Sequence, residues 1–249
     1  MNRVIASLAY AFLNLLHPRM LWLVAWPMLV ALIVWGAAAF ALWTRTAFWF
    51  AAHLRDWLSS GVFLVHVEAG DWVLVVAHVI MFLLFVPLVY LTALMILGLF
   101  GMQAMVDHVA RRYPELARRS GGSAAGSVWN GVIALLGMIA LGLVTLPLWL
   151  VPPLWPAIPV GILGWVNQKV LRYDAVSEHA SAEEMAVLFR ANRGALYVLG
   201  AILAVLAYVP PLGFLSPVLS GLAFTHLLLG DLERRRTAPI EGESRVINA

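Results

Sequence analysis

Four stretches of this chain contain no aspartate, glutamate, lysine or arginine: residues 20–43, 72–106, 128–168 and 194–230. A helix rises about 1.5 Å per residue and a hydrocarbon core is about 30 Å thick, so uncharged apolar runs of this length need lipid as their solvent. The first run can cross a bilayer with some tilt. The second can cross and continue into a charged tail at 107–119. Only 12% of the residues are charged, against roughly 25% in an average soluble domain. That excludes disorder, coiled coil and an ordinary cytosolic enzyme. The chain has no cysteine, which excludes disulfides, thiolate metal sites and thiol catalysis.

Proline breaks the third and fourth runs, which are too long for one crossing. Pro147, Pro152, Pro153, Pro156 and Pro159 interrupt the third, and Pro210, Pro211 and Pro217 the fourth. Each proline removes a backbone donor and crowds the preceding turn, so each run reads as helix, turn, helix. Segment 151–160, VPPLWPAIPV, matches segment 209–218, VPPLGFLSPV, at six of ten positions. The arms predicted over 159–171, 194–209 and 217–230 are too short for upright spans. They suit hairpins that re-enter or lie tilted, with irregular backbone covered by protein or water. Paired interrupted segments of this kind point to a transport site.

The chain therefore reads as an all-α integral membrane protein, a single membrane domain over 1–249. An interfacial helix is predicted over 1–16, with Ile5, Leu8, Phe12 and Leu15 on its apolar face. Long transmembrane helices follow over 20–52 and 72–118. Proline-turned hairpins occupy 126–172 and 185–233, and a flexible tail 234–249. The connecting segment 44–71 carries Phe48, Trp49, Phe50 and Trp57 as an interfacial aromatic belt. If both hairpins return to the side they left, 14 of the 16 lysines and arginines, Arg245 among them, share one side, leaving Arg45 and Arg55 opposite. The positive-inside bias then puts both termini in the cytoplasm.

No acid–base pair, nucleophile motif or phosphate loop is present, so no catalytic residue, metal or cofactor is expected. The seven histidines show no metal-ligand spacing. His78 and His226 stand in uncharged runs, where an ionisable group marks a functional candidate. The charged cluster 231–236 reads as an anchor to lipid headgroups rather than a nucleic-acid surface. Ser216-Pro217 reads as an N-cap followed by proline at the first helical position, and the third run's returning arm opens similarly at Pro159. Free N–H groups at such ends suit an anion. The candidate substrate-binding residues are Ser216, Gly213, Arg19 and His17.

From Tyr173 to Asp231 the chain carries Asp174, His179, Glu184-Met185, Arg190, Arg193, Gly200-Ala201, Val209-Pro210, Pro217-Val218 and Gly221. Near the N-terminus, Pro18 and Pro27 bracket PRMLWLVAWP. In these features, and in the order of two long helices and two hairpins, it resembles the CysZ-type sulfate permeases and the related etoposide-induced-protein membrane domain. The resemblance implies a bacterial inner-membrane protein, multi-pass and homo-oligomeric, in contact with lipids, that takes up a small inorganic anion, sulfate, for cysteine synthesis. The family's adjacent arginine pair after the first helix's proline is replaced here by Leu21 and Trp22, with Arg19 nearby, and its Asp-Tyr-Pro segment by Asp174-Ala175-Val176. Those departures keep open the alternative of a non-transporting membrane scaffold that organises partners.

Overall fold

The computed structural model describes residues 2–59 and 72–237. His66, Arg245 and the tail beyond 237 lie outside the described residues. Every regular element among the described residues is helical. The chain forms two compact units, one of Met1–Leu21 with Phe100–Ala249, the other Trp22–Leu99.

In the second unit, α2 (Pro18–Ser59) and α3 (Trp72–Ala110) run antiparallel. Trp35 Nε1 donates to Thr92 Oγ1 at 2.9 Å, and Ala51 packs on Val73 and Ala77. The buried residues here include Ala31, Ala47, Ala51, Ala77 and Ala93. Small side chains let apolar helices approach closely where lipid competes with every leucine for contact. Residues 44–59 continue α2 instead of forming a connection. No glycine or proline falls between 37 and 60, and two charged arginines do not break a helix. At the other end, α3 stops at Ala110 rather than 118, because Pro114 pushes Tyr113 before it out of the helical region.

The first unit is built around α8 (Pro210–Thr237). In its most apolar window 61% of residues are buried, against 6% in α4 (Ala124–Val144). Leu219, Leu222, Phe224, Leu228 and Leu232 are all buried, as in a helix surrounded by protein. α1 (Asn2–Leu15) lies antiparallel along α8, pairing Arg3 with Asp231 and Tyr10 with His226. Its buried face is Val4, Ser7, Ala11 and Leu15. The predicted face is rotated from this: Ile5 is exposed, because Ser7 and Ala11, being small, allow the closer approach.

α4 and α5 (Ala157–Asp174) form the first hairpin, with Asn130 Nδ2 donating to the Lys169 carbonyl at 2.7 Å. α7 (Arg193–Leu206) and α8 form the second, joined through 207–209. α6 (Ala182–Ala191) precedes α7 with a 73° bend. α5 and α7 cross where Gly164 meets Gly200, and a Cβ on Gly200 would overlap the Gly164 carbonyl oxygen.

The two matching decapeptides both sit at hairpin turns but fold differently. In the first, the 3-10 turns Leu146–Leu150 and Pro152–Leu154 precede α5. In the second, Pro210 is already helical, and α8 runs through Pro217. Four positions differ between the segments, and one of them removes a donor. Pro156 lacks the N–H that would bond one turn back, whereas its counterpart Phe214 has it. Ser216 is therefore inside α8 and does not cap it, and the arm predicted to be short at 217–230 is part of a 28-residue helix. The start of α8 also has few donors to offer: Pro210 and Pro211 have none, and Gly213 N–H is bonded to the Val209 carbonyl at 2.8 Å.

Opposite the turns, residues 119–122 are strapped to 177–180. Arg119 and Ser120 N–H donate to the Glu178 carbonyl, Gly121 to Ala180 and Gly122 to Ser177. Arg236 spans the strap, donating to the carbonyls of Ala117 and His179 and pairing with Glu184 at 2.9 Å.

Candidate functional site

A row of polar side chains runs the length of α1. Arg3, Tyr10 and Asn14 stand seven and four residues apart, which keeps them on one flank of the helix for about 17 Å, and His17 follows just past its end. Each meets a polar group from another element. Arg3 pairs with Asp231, whose carboxylate also accepts from Asn192 Nδ2 at 2.7 Å and Arg235 Nε at 3.3 Å. Tyr10 stacks on His226 with ring centroids 4.0 Å apart, and the Arg112 guanidinium lies over the Tyr10 ring, 5.3 Å from its centre. Asn14 Oδ1 meets His108 Nε2 at 2.9 Å. The His17 ring is 5.1 Å from that of His108.

Tyr113, in the turn after α3, touches His226 Nδ1 through its hydroxyl at 2.7 Å. Burial pushes the phenol up to about 12. It therefore stays a neutral phenol, and the imidazole tautomer sets which of the two groups donates in that bond. Asp231 is 5% exposed, and a buried carboxylate is tolerable only with partners such as these.

Where α1 gives way to α2, His17 acts as the cap. Its carbonyl accepts from Met20 and Leu21 N–H, its Nδ1 accepts from Arg19 N–H at 3.3 Å, and Pro18 takes the first helical position. The His17 and Arg19 side chains are exposed. Arg19 and Arg111 both lie near enough to act electrostatically on His108. Arg19, Arg111, Arg112 and Arg234 form no ion pair among the described residues, while Asp231 is paired with Arg3 and Arg235. A groove lined by one sign of charge concentrates ions of the other sign.

The predicted candidates thus separate into two pairs. His17 and Arg19 lie at the head of the seam. Gly213 and Ser216 lie in the first turns of α8, where a Cβ on Gly213 would come within 2.6 Å of the Ala207 carbonyl oxygen, so that glycine serves the tight turn. The seam brings in Arg3, Tyr10, Asn14, His108 and Tyr113, which the sequence reading did not propose as site residues, and Asp231, which it placed among headgroup anchors. The spacing of polar residues along α1 was the available signal. The cluster 231–236 is not simply a headgroup anchor, since Asp231, Arg235 and Arg236 are all committed to pairs within the fold.

Among the described residues four helices are long and apolar enough to cross a membrane, or five if α6 and α7 make one bent span: the fold is that of an α-helical membrane protein. The chain belongs to the sulfate transporter CysZ/etoposide-induced protein 2.4 family, whose model matches residues 7–217. No curated protein and no solved structure matches it.

Proposed function

We propose that this protein is an inner-membrane permease for a small oxyanion, sulfate by family. The anion is first held by Arg19 and His17 at the break between α1 and α2, then led along the seam past His108 and His226. The observation that carries this reading is the gathering of Arg19, Arg112 and Arg234, none of them in an ion pair among the described residues, beside the imidazoles of His17, His108 and His226, where the buried carboxylate Asp231 is already satisfied. Gly213 serves the reading by allowing the tight turn of the second hairpin, and Ser216 lies within α8 beyond it. In this arrangement the hairpins re-enter the bilayer, both termini are cytoplasmic, lipids surround the apolar faces and copies of the chain assemble.

The test is uptake of radiolabelled sulfate by proteoliposomes. A charge-assisted hydrogen bond contributes about 1.5–3 kcal/mol, so Arg19→Gln should lower uptake at low sulfate roughly tenfold or more. Arg55→Gln, in the other unit, should leave it unchanged. Uptake equal to that of empty liposomes, or insensitive to Arg19, would sink the proposal. A partner that copurifies with a chain lacking any flux would favour the scaffold, which the Leu21-Trp22 replacement of the family's arginine pair already recommends as the second reading.

A further inference from the structure

A small cavity of about 50 Å³ lies near the far end of the seam, lined by Arg3, Ala6, Tyr113, His226, Asp231 and Arg234 among others. A buried water needs roughly 10–15 Å³ on the same measure, so the space suits a few waters or one compact ion. A phospholipid headgroup with its glycerol is too large for it. The wall is unusual in what its charges do. Arg3 is held by the Asp231 carboxylate, and Asp231 in turn is held by Asn192 and Arg235. Arg234 forms no ion pair among the described residues. With its Nδ1 bonded to the Tyr113 hydroxyl, His226 offers its Nε2 as a donor in the tautomer whose Nδ1 accepts.

We infer that this cavity is a second station for a small oxyanion, at which the Asp231 carboxylate occupies Arg3 as a built-in competitor. The inference rests on the seam being an anion path, and it adds a specific element to it. Asp231 presents its Oδ1 to Arg3 while its Oδ2 takes Asn192 and Arg235, and it keeps the guanidinium oriented while no anion is there. An arriving anion meets Arg234 and His226 first and then draws Arg3 away from a carboxylate that retains Asn192 and Arg235. The exchange leaves no charge abandoned. It also makes the station weak, because the anion displaces a partner and sits beside a negative group. A conducting site needs that weakness if the ion is to leave.

The experiment is equilibrium binding of radiolabelled sulfate to the purified full chain in detergent, with chloride as competitor. Asp231→Asn should tighten binding about tenfold, since the neutral amide neither holds Arg3 by charge nor repels the anion. Arg234→Gln should weaken it by a similar factor. Arg234 is exposed and forms no ion pair, so its replacement leaves the fold intact and decides the matter alone if Asp231→Asn does not fold. Binding that ignores Arg234, or that stays unchanged or weakens in an Asp231→Asn protein melting like the wild type, overturns the station. Arg19→Gln separates the two readings. If it abolishes transport while the Arg234-dependent binding persists, both stand. If transport ignores Arg19 but binding still depends on Arg234, the entry site falls and the cavity remains.

Discussion

His179 shows how much a single ring can depend on its surroundings. It is 3% exposed, and its Nδ1 is buried with no hydrogen-bond partner. Burial, with Arg118 and then Arg236 beside it, holds its pKa below the usual imidazole value, and Glu178 and Asp107 offset only part of that. The unfolded chain therefore takes up a proton first as the solution is acidified. Stability should be level above about pH 6.5 and fall as the pH drops from there through the folded-state value, with a slope of at most about 1.4 kcal/mol per pH unit. Thermal melting from pH 7.5 to 5 should show a steeper loss for the wild type than for His179→Gln. Parallel curves would mean that the ring is not the titrating group. The sequence displayed His179 only as a lone histidine near acids and bases. Its burial depends on the strap from 119–122, a contact across more than fifty residues that no local pattern encodes. The pairing of Arg3 with Asp231 escaped notice for the same reason: one is near the start of α1, the other near the end of α8, and only antiparallel packing joins them.

Among the elements, the helical hairpins could be read from proline alone, because a missing donor has a local consequence. Which proline ends a helix could not, since the same VPPL tetrapeptide enters a 3-10 turn in one hairpin and a continuous α-helix in the other. The packing between hairpins was also hidden, because Gly164 and Gly200 look like any other glycines in an apolar run until they are seen to meet. Gly200→Ala would force its Cβ against the Gly164 carbonyl and should cost about 1–3 kcal/mol, as overpacked sites do. Gly194→Ala, with nothing within 4 Å of its Cβ, should be neutral or slightly stabilising through helix propensity. Thermal unfolding of both variants in the same detergent checks the contrast. Equal melting temperatures would show that α5 and α7 can part without loss.

For the whole molecule, the absence of native cysteine makes single-cysteine labelling clean. With a membrane-impermeant maleimide on intact cells and on inverted vesicles, Asn2→Cys and Thr237→Cys should react only in the vesicles. Leu150→Cys, 84% exposed at the first hairpin's turn, should react in neither if the hairpin stops within the lipid. Labelling from outside the cell would make that hairpin a full crossing. α2 has a consequence of its own. Its 42 residues extend about 63 Å, while a helix leaning at about 40° uses only about 40 Å within the hydrocarbon. The surplus bears Arg45 and Arg55 together with exposed Phe48, Trp49 and Trp57. Those rings mark a waterline: sinking the rod deeper drowns the guanidiniums, and lifting it strands oily surface in water, so α2 fixes the height at which the protein floats.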